Sequence, residues 1–380
     1  MKPTTNYISS LTPLRGIAAL LVVLFHYQAF SIIHGFPGLL NQFNSQIITK
    51  GYLWVDFFFI LSGFVISHVY GEKLKNRTTN VIKTYLWARF SRLYPLHVFI
   101  MLLFVILMIG LNLLYPDYAM ANWNPNNKIS DFFISLFFLQ TSGLTDTYSW
   151  NVPSWSVAAE WWTYIVAIGL IPLLNNGFKR STVISFSLAL SGLVYISFQS
   201  PENTLNAIFA LGTVRCVFGF TIGIGVYQVY KELLYKNLIW SKDWVFYVIL
   251  LCMLAALNFG IYDVAVIPFF GAFILCASLN KGVPYKLLNT KPLVFIGDIS
   301  YSIYLSHAFW ACLYWIWLDL YYIPNYPGLM PTFWDNLLWI TILMTLIIST
   351  SAFTYKFVEL KAQKKLRQWI QTKPKEVILD

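Results

Sequence analysis

Arg15 and His26 stand at the two ends of "LRGIAALLVVLFHY", a stretch that is otherwise almost pure hydrocarbon. Eleven residues of helix make about three turns and roughly 16 Å of rise, so one helix face would carry a guanidinium low down and an imidazole above it. A charged side chain inside a bilayer costs at least about 2.5 to 3.5 kcal/mol on insertion scales, which makes any intramembrane ionisable group a candidate for function. The plainer readings are an arginine that snorkels to headgroups and a histidine bonded to a neighbouring helix. An imidazole with a pKa near neutrality can move a proton or take an acyl group onto its own nitrogen.

Three more stretches carry polar groups where lipid would exclude them. Asp56 lies near the outer end of "GYLWVDFFFILSGF", where its structural reading is a buried partner for Arg15, Arg215 or a backbone amide. In "NVPSWSVAAEWWTYI", Ser156 and Glu160 share a face at i, i+4, beside Trp155 and other tryptophans that read first as an interfacial belt. In "IGDISYSIYLSHAFW", Ser300, Tyr304 and His307 fall at i, i+4, i+7. Counting rise from the cytoplasmic ends puts His307 at roughly 21 Å and His26 at roughly 22 Å, so His26, Asp56, Glu160 and His307 form one titratable layer in the outer half. On the opposite side, "WARFSRLYPLH" sets Arg89 and Arg92 at i, i+3, with Lys83 about two turns earlier. Two planar guanidinium forks suit phosphate, although spacing alone reads as ordinary basic decoration of a cytoplasmic edge.

The elements that must hold these groups are membrane helices. Of 380 residues, 58% are hydrophobic and 11% charged, and the mean hydropathy is +0.61; soluble domains carry about 25% charged residues. Runs of about 20 apolar residues recur along the chain, and no alternating ten-residue strands of a barrel are visible. Ten spans are expected, at 11–33, 52–71, 93–115, 155–174, 182–199, 205–230, 244–260, 263–280, 293–318 and 336–359, in one membrane domain of a polytopic all-α protein. The first run follows a single lysine and lacks a cleavage site, so it reads as a retained span. The segment "DFFISLFFLQ" at 131–140 is too short to cross and reads as re-entrant or interfacial.

Charge fixes the orientation. Of 26 lysines and arginines, Lys50 and Lys128 fall on the outer side and Arg15 and Arg215 within spans; all the others border the cytoplasm if both termini lie there. The net charge of +10 is thus a topology signal and gives no reason to expect nucleic acid, and the basic tail at 360–380 is expected along the anionic inner leaflet. Cys216, Cys252, Cys276 and Cys312 all fall in apolar runs as small buried groups, with no disulfide framework and no metal motif.

Taken together, Arg15-x10-His26 in "PLRGIAALLVVLFHY", "GYLWVDFFFILSGFVI", "ARFSRLYPL", "VPSWSVAAEWWTY", "IGDISYSIYLSH" and "STSAFTYKFVE" resemble, in order, the motifs of the acyltransferase 3 family of integral-membrane O-acyltransferases. The resemblance runs from about Leu11 to Glu359. It implies a bundle of roughly ten helices in the bacterial inner membrane that moves an acyl group, usually acetyl, from cytoplasmic acyl-CoA to a hydroxyl of an envelope carbohydrate. Acetyl-CoA would then be a co-substrate, with no metal, and membrane lipids and the carbohydrate would be the partners. Arg15 and His26 take the places of the family's essential pair, and because the chain stops about twenty residues after its last span it resembles the type without a soluble extension.

In that frame Arg89 and Arg92, with Arg15, would grip the phosphates while the pantetheine arm lies along the first helix. His26 would act as general base or as a transient acyl carrier. Glu160 or Asp56 would orient its ring, and Tyr301, Tyr304 or His307 would hydrogen-bond the oxyanion, with Trp155 and Ser156 at the acceptor side. The rival class is a proton-coupled transporter or flippase of a glycan or lipid-linked intermediate, since the same groups make proton relays; a scaffold for envelope assembly is a third. Against transport, the sequence shows no internal repeat and no paired broken helices in matching halves.

Overall fold

The computed structural model of the chain describes residues 7–36, 45–145, 149–174, 178–200, 202–206, 210–236 and 239–371, and every regular element among them is helical. In chain order these are α1 (Leu11–Ile33), α2 (Trp54–Lys75), α3 (Thr79–Leu114), α4 (Pro116–Asn122), α5 (Ile129–Leu136), α6 (Ser154–Leu174), α7 (Phe178–Gln199) and α8 (Gly212–Leu233). There follow α9 (Asp243–Asn258), α10 (Asp263–Leu279), α11 (Val283–Leu288), α12 (Lys291–Asp298), α13 (Ser300–Trp317), α14 (Ile323–Asn325), α15 (Phe333–Thr354) and α16 (Leu360–Gln371). Among the described residues, seven helices are long and apolar enough to cross a membrane: α1, α2 with the turn before it, α3, α6, most of α7, α8 and the run that holds α15. The protein is an all-α polytopic membrane protein. α13 is not among the seven, since its first half carries Ser300, Tyr301, Ser302, Tyr304, Ser306 and His307.

The described helices depart from the hydropathy segments in informative places. The ninth segment is two helices, α12 and α13, broken at Ile299 rather than continuous from 293 to 318. The sixth begins at Gly212 and not at 205: the described residues 202–206 and 210–211 before it take bend and turn conformations outside any helix. Residues 131–140 form the short α5 and a turn in which Phe138 is left-handed (φ 60°). At 1.5 Å per residue the eight residues of α5 reach roughly 12 Å, well short of a bilayer. Cys252 is exposed on α9, unlike the buried Cys216 and Cys276, because it lies on the outward side of a helix that is apolar all round, while Val245, Phe246, Met253, Ala256 and Leu257 face the bundle. The basic tail begins as α16, which docks on α3 through Trp87 Nε1–H donating to the Leu366 carbonyl at 2.6 Å; residues 372–380 lie outside the described residues.

Without a hydrophobic force between helices in lipid, close packing of small residues has to hold the bundle. α2 and α8 meet at Gly63, Gly219 and Gly223, the last two spaced as small-xxx-small. A Cβ on Gly63 would collide with the Phe220 carbonyl, and one on Gly223 with the Ile60 carbonyl. α1 crosses α12 in the same manner, since a Cβ on Gly16 would stand 2.7 Å from the Gly297 nitrogen and one on Gly297 would strike the Thr12 carbonyl. The second crossing sets Arg15 beside the break that starts α13. Gly223→Leu is expected to cost about 3 kcal/mol, the upper end for overpacking, because the obstacle is backbone and no rotamer relieves it. The checking measurement is thermal unfolding in detergent, and an unchanged midpoint would refute the close crossing.

Candidate active site

Five helices converge on a cavity enclosing about 850 Å³ of empty space, its open mouth included. α1 gives it Arg15, α2 Ser62, α3 Arg89 and Arg92, α6 Ser156 and Glu160, and α13 Ser300, Tyr301 and Tyr304. The i, i+3 spacing of Arg89 and Arg92 puts both on the cavity face of α3, and i, i+4 does the same for Ser156 and Glu160 on α6.

The three guanidiniums are held differently. Arg15 makes no hydrogen bond or ion pair among the described residues. Arg89 donates one bond to Tyr70 Oη (3.3 Å) and lies over the rings of Tyr70 and Tyr164, while its buried Nε–H has no partner. Arg92 sits 5.4 Å over the Tyr301 ring and is ion-paired with Glu359, a fully buried carboxylate from the turn after α15 whose second oxygen accepts from Ser302 Oγ at 3.1 Å. Orphaned buried donors are rare in folded proteins, so an unsatisfied guanidinium N–H beside an unpartnered arginine in one cavity fits an anionic ligand. Glu160 is the acid that lines the cavity, and its Oε1 accepts from Ser62 Oγ (2.7 Å) and Tyr164 Oη (2.5 Å).

Two of the lining hydroxyls meet in the cavity wall. Ser156 Oγ and Tyr304 Oη lie 2.6 Å apart and both face the Pro153 carbonyl, at 3.1 and 3.2 Å. Beyond them stand the two histidines. The Tyr304 ring is 5.7 Å from that of His307, and His307 in turn is 4.8 Å from His26, ring to ring.

Hydrogen bonding assigns the protons of this pair. His307 Nδ1 faces the Tyr304 carbonyl at 2.5 Å and His26 Nδ1 faces the Val22 carbonyl at 2.9 Å. A carbonyl only accepts, so in the neutral rings both Nδ1 atoms carry the hydrogen. His307 Nε2 is therefore a lone pair, and it lies 3.3 Å from His26 Nδ1, whose N–H it shares with Val22. Both rings are fixed in tautomer and angle, and the lone pair of His26 is left on Nε2, the atom a general base needs.

The sequence-derived candidates thus sort into separate places. Arg15, Arg89, Arg92, Glu160, Ser156, Tyr301 and Tyr304 line the cavity; His26 and His307 meet each other behind it, and His26 lines neither the cavity nor the small apolar pocket beside His307. Asp56 belongs to neither group, since both its oxygens accept from Arg215, at 2.8 and 2.6 Å, with both residues fully buried. Trp155 stacks on that arginine 5.4 Å away and lines no part of the cavity. Neither Asp56 nor Glu160 touches the His26 ring, so the expected carboxylate orienter is replaced by the Val22 carbonyl and His307. The Tyr301 hydroxyl is spent on the Leu93 carbonyl at 2.6 Å. The channel also departs from the expected path along the first helix: beyond Arg15, α1 is packed against α12 and α13, and the walls come from α2, α3, α6 and α13. Ser62, Tyr164 and Glu359 were given no role by sequence; only Glu359, an acid closing an apolar run that borders a basic tail, carried a signal.

A family model described as an acyltransferase domain matches residues 8–356. O-acetyltransferase OatA of Staphylococcus aureus is 24% identical over 95% of the chain and 58% of its own length. A protein of Acidianus two-tailed virus named as an acetyltransferase is 25% identical over 81% of the chain and 85% of its own length. "Protein 2 in picA locus" of Rhizobium radiobacter is 42% identical over 22% of the chain and 37% of its own length. The chain therefore spans little more than half of the staphylococcal relative. No solved structure matches it.

Proposed function

Because the chain belongs to the acyltransferase 3 family, we propose that it transfers an acyl group, acetyl in the simplest case, from acyl-CoA to a hydroxyl of a cell-envelope carbohydrate. The observation that carries the donor assignment is the convergence of Arg15, Arg89 and Arg92 on one cavity, with Arg15 unpartnered and the Arg89 Nε–H unsatisfied. In this reading the arginines bind the diphosphate and 3′-phosphate of the donor, each fork offering paired donors to a phosphate edge. The cavity walls take the pantetheine arm and bring the thioester up to Ser156 and Tyr304.

His26 Nε2 then removes the proton of the acceptor hydroxyl as its oxygen attacks the thioester carbonyl; the C–S bond breaks and the thiolate leaves with that proton. His307 supports the step by accepting the His26 Nδ1–H, which keeps the ring in the basic tautomer and stabilises the imidazolium as it forms, the logic of a catalytic triad with a neutral third member. Since His26 lines no part of this cavity, in this reading the wall at Tyr304, whose ring is 5.7 Å from that of His307, has to rearrange before donor and acceptor meet. The membrane frame of the proposal is ten crossings in the bacterial inner membrane with both termini cytoplasmic, which places the arginines at the cytosolic mouth and the histidines in the outer half.

The first test is release of free thiol from acetyl-CoA by purified protein, alone and with envelope polysaccharide. A transporter consumes no acetyl-CoA, so silence in both would overturn the reading. Arg89→Ala and Arg15→Ala are each expected to raise the KM for acetyl-CoA about 10- to 100-fold with kcat nearly unchanged, as the loss of a charge-assisted bond to phosphate implies. A KM unmoved in both would remove the arginines from donor binding.

A further inference from the structure

Away from the arginine cavity, two open hollows follow one another along α8 and α10, adjoining at Val229 and Tyr230 and at Trp240 and Ser241, and together they make a groove of changing chemistry. One part is apolar: Phe186 and Leu190 of α7, Val226 and Val229 of α8, and Gly271 and Leu275 of α10 border about 660 Å³ of empty space. The next part follows the same two helices α8 and α10 toward their C-terminal ends and borders about 990 Å³, with Lys236, Lys242 and Lys281 among its lining residues. Trp240 lines the first part and Ser241 the second, so an indole marks the boundary between hydrocarbon and charge, as tryptophans do at a membrane interface. From Ile222 to Leu234 the floor rises roughly 18 Å, close to the depth of one leaflet of a hydrocarbon layer about 30 Å thick.

The basic end is available to an anion. All three lysines are exposed and none is ion-paired among the described residues. Asp243, which also lines this part, spends its two oxygens on Asn280 Nδ2 (2.8 Å) and the Val283 N–H (3.0 Å), fastening the start of α11. A topological excess of lysine would by itself decorate this edge; it would not set an apolar hollow next to the lysines along the same two helices.

We propose that this groove is a binding site for one anionic glycerophospholipid, with its phosphate among Lys236, Lys242 and Lys281 and one acyl chain lying on Val226, Gly271 and Leu275. The two halves match the two halves of such a molecule, and charge complementarity selects an anionic headgroup over a zwitterionic one. The lipid would fill the gap between α7 and α10, which both pack on α8 yet leave this space between them.

Native mass spectrometry of the detergent-purified protein, titrated with phosphatidylglycerol or phosphatidylcholine, tests the site. Wild type is expected to retain one phosphatidylglycerol with about tenfold or greater preference, and Lys236→Gln/Lys242→Gln/Lys281→Gln to lose that preference. Lys361→Gln/Lys364→Gln/Lys365→Gln, which neutralises α16 instead, is expected to keep it. Equal retention of the two lipids, a preference that survives the first triple variant, or one that vanishes only with the second, would each overturn the proposal. So would specific retention of a polyprenyl phosphate in place of the glycerophospholipid. Because the readout is lipid retention, the result is independent of whether the chain turns over acetyl-CoA.

Discussion

His26→Ala is expected to lower acyl transfer by about 10²- to 10⁴-fold, the usual contribution of a positioned general base, while the protein stays folded and its KM for acetyl-CoA stays near wild type. The split follows from geometry: His26 lies behind the Ser156–Tyr304 pair and lines no part of the arginine cavity, so its loss removes chemistry and leaves the donor contacts in place. His307→Ala should cost less, about tenfold, because the Val22 carbonyl still holds the His26 Nδ1–H and the ring keeps its basic Nε2. The double variant should be no slower than His26→Ala alone, since the second ring acts only through the first. Thiol release from acetyl-CoA at matched folded protein measures all three. Undiminished turnover in His26→Ala would take the imidazole out of the mechanism, and a double variant much slower than the single would give His307 a role of its own.

What could be read from sequence divides along a physical line. Position along a single helix follows from rise and periodicity, so the face shared by Arg15 and His26 and the pairing of Arg89 with Arg92 needed only 1.5 Å and 100° per residue, whereas the depth of His307 was counted through a segment that breaks at Ile299. Contact between helices needs the crossings, and these depend on where two backbones can approach. Gly16 against Gly297 brings α1 onto α12, and the break at Ile299 then carries α13 to His26; nothing in the spacing of either segment states that meeting. The same limit separates Glu160 from Asp56. Both acids stand in apolar runs and are expected in one layer, yet Glu160 bonds Ser62, roughly 9 Å further along α2 than Asp56, and faces the arginine cavity, while Asp56 is captured by α8. Glu359 shows the limit from the other side. Its sequence place, at the end of an apolar run, gives no hint that it reaches Arg92, some 270 positions earlier, because the chain between them is the bundle itself.

Asp56 also offers the sharpest separation of structure from chemistry. Its carboxylate is the ion-pair partner of Arg215, which is fully buried, stacks on Trp155 and also donates to the Tyr52 carbonyl at 3.4 Å. Asp56→Ala leaves that guanidinium in place without its counter-charge, and breaking a buried pair in this way costs about 3 to 5 kcal/mol. The expected result is a severe loss of folded protein with near-normal turnover per folded molecule. Replacing both partners by apolar groups of similar volume removes the uncompensated charge as well, so Asp56→Leu/Arg215→Met should recover most of the stability. Unfolding in detergent, paired with active-site titration of the folded fraction, reads both numbers. A double variant that is stable but dead would return Asp56 or Arg215 to the catalytic machinery. One that is stable and active would leave the pair as the staple between α2 and α8, close to the glycine crossing that lets those two helices touch.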